Sequence, residues 1–277
     1  MPRRCLFSTL ALSLFLGNSN ALAMESFDLH NINKVQQQGW TGNGVYVGVV
    51  DVNVDAKHPL LAGNIVSNSN TVWQPNGPFG FHGTHVAGIL AATSTNGKSY
   101  GIATDAKLIV HHMYSPNKNS NFDNFHVKII NNSHTQGNGY FANYARQDVL
   151  NVFSSGNYGQ MSPHTNTMKG TGTAQNLGAW IIVGNLNRGG ARRDANGKLV
   201  LTVGALSNGG SLCGGALASC VMASGTSIYS LGKNSQMAIA GGTSMAAPLV
   251  SGVAALVAQK YPFLGGKQLA CDFKHGK

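Results

Sequence analysis

Acid is scarce in this sequence. Of 277 residues only nine are aspartate or glutamate, against 19 lysines and arginines, and charged residues total 10%. With 43% hydrophobic residues and 36 glycines, so low a charge density excludes a disordered polar chain and suits one large globular domain with many tight turns. The formal net charge is +10, but the basic residues are scattered apart from Arg188, Arg192, Arg193 and the tail lysines. No aromatics interleave with them, so the charge reads as a solvated surface and a nucleic-acid partner is not expected. HExxH and CxxC are both missing, and the pair His82 and His85 has no third ligand at a suitable spacing, so no metal site is expected.

Long apolar runs are missing too. The one near Leu6 to Leu16 is too short to span a bilayer. Arg3 and Arg4 before it and Ala21-Leu22-Ala23 after it make residues 1–23 a secretory signal, cleaved after Ala23. The mature chain, 24–277, is then expected to be exported to the periplasm, cell surface or medium, with no stable membrane insertion. Cysteine numbers only four, and Cys5 leaves with the signal. In an exported protein Cys213 and Cys220, in SLCGGALASC, are expected to pair, contributing about 2–3 kcal/mol. Cys271 is left over. Nothing in the sequence marks an oligomeric state.

The run VYVGVV ending at Asp51 is apolar and β-branched, as a strand buried on both faces requires. Further strands are expected at Lys107 to His112, Val127 to Asn131, Val149 to Phe153, Trp180 to Val183 and Leu199 to Val203. Helices are expected at His82 to Ala92, Tyr140 to Gln147 and near Gly170 to Leu177. Alternation of the two predicts a three-layer α/β fold, a mostly parallel central sheet with helices on both faces. Such sheets place their sites at the carboxyl ends of the strands.

The stretch GGTSMAAPLVSGVAALVAQKYP, 241–262, is apolar all round, the mark of a helix buried in a large core. Ser244 stands at its entrance. Serine before an apolar helix is ordinary N-cap chemistry; alternatively the unpaired N–H groups and positive end of the helix suit an oxyanion, with Ser244 as nucleophile. FHGTHVAGILAAT, 81–93, has the same form, with His82 at the start. Asp51 at a strand end, His82 and Ser244 together supply the carboxylate, base and hydroxyl of a charge-relay triad. Their order, Asp then His then Ser, differs from that of α/β-hydrolases and chymotrypsin-like enzymes.

VVDVNVDAKHP, HGTHVAGI and GGTSMAAP resemble the three active-site segments of the subtilisin-like serine peptidases, and the likeness covers most of 39–262. The resemblance implies an endopeptidase acting on protein or peptide substrates through an acyl-enzyme, with Asp51, His82 and Ser244 catalytic. IINNSHT is similar to the substrate-binding strand, here with Ser133, and VFSSGNYG to the segment with the oxyanion asparagine, here Asn157. Ser154, Ser155 and Gly156 would line the pocket for the residue before the scissile bond. Tyr158 stands where an acid would favour a basic residue there, so an apolar or aromatic preference is expected. No cofactor is implied; calcium is common in the family, but these few acids identify no ligands. The stretch from LTVGALSNGG to ASGTSIYS is most similar to the bacterial autotransporter branch, in which a cysteine pair commonly stands at this place.

Asn53 departs from the family glycine two residues after the aspartate. Asparagine tolerates the left-handed conformation, so the turn is expected to survive. After Pro262 the family continues with a helix that packs on the buried one. The tail KQLACDFKHGK instead reads as the end of a truncated gene product or as a frameshift remnant, without that helix, with Cys271 incidental to it. The alternative function is therefore a catalytically impaired passenger or peptide-binding module.

Overall fold

In the computed structural model the described residues are 30–69, 80–95, 99–113, 118–134, 146, 148–159, 163, 178–187, 191–193, 199–201 and 214–274. The expected signal segment 1–23, Cys213 and the helix expected near 170–177 lie outside them, as does all but Arg146 of the helix expected at 140–147.

Seven strands form one parallel sheet in the order β2-β3-β1-β4-β5-β6-β9. They are β1 (Tyr46–Asp51), β2 (Ile65–Asn68), β3 (Lys107–His112), β4 (Ile129–Asn132), β5 (Leu150–Ser154), β6 (Trp180–Leu186) and β9 (Cys220–Ser224). The apolar runs read from the sequence are these central strands, buried along nearly their whole length. Two smaller antiparallel pairs stand apart, β7 (Ala191–Arg193) with β8 (Leu199–Leu201), and β10 (Ile228–Leu231) with β11 (Met237–Ala240). The segment starting at Leu199 is thus a strand, but in a two-stranded ribbon and not in the parallel sheet.

Five α-helices are described: α1 (Ile32–Gln37), α2 (His82–Ala91), α3 (Lys118–Asn124), α4 (Thr243–Lys260) and α5 (Gly266–Lys274). The main core joins α2, α4 and α5 to one face of the sheet, through Val47 and Val49 of β1, Val86 and Ile89 of α2, Val250 and Val253 of α4, and Leu269 and Ala270 of α5. Phe122 of α3 covers the opposite face with Val50, Ile109 and Ile130. Strand periodicity of two sends neighbouring β1 valines to the two sides. Each such side chain, fully buried, contributes on the order of 1.5–3 kcal/mol.

Two expectations about the tail are corrected. Gly266–Lys274, beyond Pro262, form α5, whose Leu269 and Ala270 are fully buried. Its polar composition disguised a short amphipathic helix that packs on β5, β6 and β9. Cys271 is not incidental, since both it and Cys220 are disulfide-bonded. No free cysteine occurs among the described residues.

The chain enters the sheet at β1, runs out to the edge at β2, comes back to place β3 between β2 and β1, then crosses to place β4 on the other side of β1. That reversal makes the carboxyl ends of β1 and β4 a topological switch point, the place where open parallel sheets bind ligands.

Candidate active site

Asp51 is the last residue of β1, fully buried, its backbone carbonyl accepting the Met113 N–H at 3.0 Å. His82 is the first residue of α2, and its Nδ1 lies 2.7 Å from Asp51 Oδ1. The same oxygen accepts the Val52 N–H at 2.7 Å. Burial disfavours the imidazolium, yet the Asp51 charge and hydrogen bond outweigh it, and the His82 pKa is raised above its ordinary 6.5.

Each residue of the HGTH segment has its own part in holding this pair. The Gly83 N–H donates to the Val52 carbonyl at 3.0 Å, and a Cβ on Gly83 would lie 2.1 Å from that oxygen. Only glycine lets the start of α2 close on the end of β1. Thr84 Oγ1 donates to the Asn53 carbonyl at 2.9 Å and accepts the Asp55 N–H at 2.9 Å, bracing the turn after Asp51. In that turn Asn53 has φ 51°, the left-handed conformation expected of it. His85 is fully buried, with Nε2 3.1 Å from the Ile228 carbonyl and 3.3 Å from that of Ala238. Its imidazole is kept neutral by burial, its pKa lowered to about 4, and it ties α2 to the β10–β11 ribbon. Among the described residues no three His, Cys, Asp or Glu side chains gather as a metal site.

Ser244 is the second residue of α4, and α4 packs directly against α2. It is not the helix cap: Gly242 holds that position, with no side-chain cap bond. The Ser244 side chain is buried, and its Oγ donates to the Ser133 carbonyl at 2.8 Å. Pro248 has no N–H to give the Ser244 carbonyl, which loosens the helix where it starts. Ser133 follows β4 and is buried.

Asn157, exposed beyond β5, is anchored by a residue the sequence reading passed over. Its Oδ1 accepts from the Thr243 N–H at 2.9 Å and from Thr243 Oγ1 at 3.0 Å, while the Gly156 N–H donates to Thr243 Oγ1 at 3.1 Å. A backbone N–H can only donate, so the amide oxygen must face Thr243 and Nδ2 is left as the group to offer a ligand. Gly242, at φ 141°, fits here because a Cβ would lie 3.1 Å from both amide atoms of Asn157. The only sequence signal for Thr243 was its place beside Ser244. Ser154 and Ser155 are buried at the end of β5, the Ser155 N–H on the Val183 carbonyl at 3.0 Å, and Gly156 turns with φ 107°. The geometry thus joins Asp51 to His82, Ser244 to Ser133, and Asn157 to Thr243 at one edge of the sheet.

Chemically, this edge presents a carboxylate-oriented imidazole, a serine at a helix N-terminus and an oriented amide. Several known proteins are similar to this chain. Subtilisin DY of Bacillus licheniformis is 30% identical over 255 residues, covering 85% of this chain and 84% of its own length. The extracellular serine protease of Serratia marcescens is 26% identical over 86% of the chain, which spans 30% of that protein. For subtilisin E of Bacillus subtilis the chain spans 59% of the relative. Among solved structures, the self-cleaved protease domain of PatA superposes with TM-score 0.61 at 23% identity, covering 83% of this chain and 86% of that one. The prenylagaramide maturation protease PagA gives 0.62 at 20%, over 86% and 84%. These two likenesses are of fold. The family model for peptidase S8, the subtilase family, matches residues 42–271, and the chain belongs to that family of serine-type endopeptidases.

Proposed function

We propose that this chain is an exported endopeptidase in which Asp51, His82 and Ser244 act as one charge-relay unit. The observation that carries the reading is the 2.7 Å bond between His82 Nδ1 and Asp51 Oδ1, which fixes the tautomer with Nε2 as base. Nε2 takes the Ser244 proton as Oγ attacks the scissile carbonyl, and the oxyanion is held by Asn157 Nδ2 and the Ser244 N–H. The imidazolium returns that proton to the leaving amine, giving the acyl-enzyme. A water then loses its proton to Nε2, attacks the acyl carbon, and Ser244 regains its hydrogen as the acid product leaves.

At rest the single Ser244 hydroxyl proton lies on the Ser133 carbonyl. An extended substrate whose backbone N–H takes that carbonyl releases the hydroxyl to His82. Ser133 is accordingly the substrate-pairing residue of this reading, and Ser154, Ser155 and Gly156 wall the neighbouring pocket. Tyr158, 65% exposed and next to Asn157, supports an apolar or aromatic preference there.

Export rests on the signal-like residues 1–23 and on the Serratia relative's description as extracellular. No helix among the described residues is long and apolar enough to cross a membrane. Assignment to the autotransporter branch rests on the sequence between 201 and 230. The impaired-module alternative drew its support from a lost packing helix, and α5 removes that support. Cleavage of a peptide library by the secreted protein tests the proposal. Products ending in apolar or aromatic residues, absent with Ser244→Ala, are expected; cleavage that persists in that variant, or a profile dominated by lysine and arginine, would contradict it.

A further inference from the structure

The buried helix α4 carries a further hydroxyl, that of Ser251, seven residues beyond Ser244. Seven residues are two helical turns, so both hydroxyls lie on one face, about 10 Å apart along the axis. Ser251 is fully buried and bonds back to the Ala247 carbonyl at 3.1 Å, as a serine inside a helix commonly does. Its one hydroxyl proton is shared between that carbonyl and Oδ1 of Asn131, the nearer acceptor at 2.9 Å. Asn131 is fully buried in the middle of the sheet, its backbone paired with Val49 of β1 and Val152 of β5. Its Nδ2 donates to Ser133 Oγ at 2.9 Å. The Ser133 carbonyl in turn accepts the Ser244 hydroxyl at 2.8 Å.

One helix face therefore grips one strand end twice: directly from Ser244, and through Asn131 from Ser251. Neither Asn131 nor Ser251 has a part in the proton relay. Packing alone would be served as well by an apolar pair of similar size, because buried polar groups cost desolvation that their hydrogen bonds only offset. What an apolar pair would not supply is direction, and this network ends on Ser133.

We propose that Ser251 and Asn131 are positioning residues that fix the Ser133 carbonyl for pairing with an extended peptide. The inference rests on the endopeptidase reading above and deepens it. The clamp acts on peptide recognition and leaves the activation of Ser244 by His82 unaltered. A short ester that does not run along the strand end makes no demand on it, whereas a peptide of several residues does.

The test uses the whole secreted chain with Ser251→Ala, Asn131→Leu and the double variant, each checked for folding by thermal melting. Two substrates are compared, p-nitrophenyl acetate and a peptide extending on both sides of its cleaved bond. In each variant kcat/KM on the peptide is expected to fall about tenfold or more, the scale on which displaced positioning groups act. Ester turnover is expected to stay within about threefold, and the double variant to be no worse than the weaker single, since both residues serve one network. Equal losses on ester and peptide, unchanged peptide cleavage, or losses that multiply in the double variant would overturn the clamp. A folded wild type that turns over neither substrate would overturn the endopeptidase reading, and the clamp with it.

Discussion

His82 Nδ1 stands 2.7 Å from Asp51 Oδ1, joining the first residue of α2 to the last residue of β1. Burial lowers the imidazole pKa, but the carboxylate's charge and hydrogen bond more than offset it, leaving the value above 6.5. A base must be neutral to accept a proton, so kcat/KM should rise with pH through a midpoint above 6.5. The stability linkage has the opposite sense: the bond's contribution is complete below 6.5 and fades as pH rises through the folded value. Asp51→Asn should move the midpoint downward and lower kcat by about 10⁴. A pH series of kcat/KM for both proteins checks this.

Thr243 holds Asn157 by its N–H and its hydroxyl. Thr243→Val keeps the first bond and loses the second, and also leaves the Gly156 N–H without its acceptor. We expect kcat to fall about tenfold with KM nearly constant, the sign of an interaction made chiefly in the transition state. Asn157→Leu should cost about 10²–10³. Steady-state kinetics on one peptide substrate distinguish these outcomes from a loss confined to KM.

Gly83 meets the Val52 carbonyl so closely that Gly83→Ala must push α2 away from β1. Overpacking of this kind costs about 1–3 kcal/mol and here displaces the base as well. Thermal melting should show a lower midpoint, and the variant should lose activity even at temperatures where it remains folded.

His85 makes the fold sensitive to acid. Its folded pKa is about 4 and its ordinary value 6.5, so between those values the unfolded chain binds a proton that the folded chain refuses. Stability should therefore fall as pH drops from 6.5 toward 4, by about 3 kcal/mol in all from this group. Urea midpoints at pH 7, 5.5 and 4.5 measure it. His85→Gln, which retains a donor for the β10–β11 carbonyls but does not titrate, should flatten the dependence.

The local parts of this molecule were legible in its sequence. β1 and α2 announce themselves through β-branched and small apolar runs, and they carry Asp51 and His82 at their ends. The unbroken apolar character of α4 marked it as a core helix, and Asn53 was readable as a left-handed turn residue. Contacts across the fold were legible only where a motif implied them, as for Asp51 with His82. Asn131 in IINN and Ser251 in VSGV look like minor polar interruptions until the sheet and α4 bring them 2.9 Å apart. Ser244 looked as much like a cap as a nucleophile, and its separation from cap geometry came from the backbone of Gly242. α5 was missed because a short amphipathic helix buries only a few residues, here Leu269 and Ala270, and its charged positions resemble a tail.

The account depends on Ser244 being a nucleophile activated by His82. Labelling with a fluorophosphonate probe at pH 8 tests this most directly: the wild-type chain should be modified covalently at Ser244, with Ser244→Ala unlabelled and His82→Ala strongly slowed. A well-folded wild type that takes no label, or one labelled at any other residue, would contradict it.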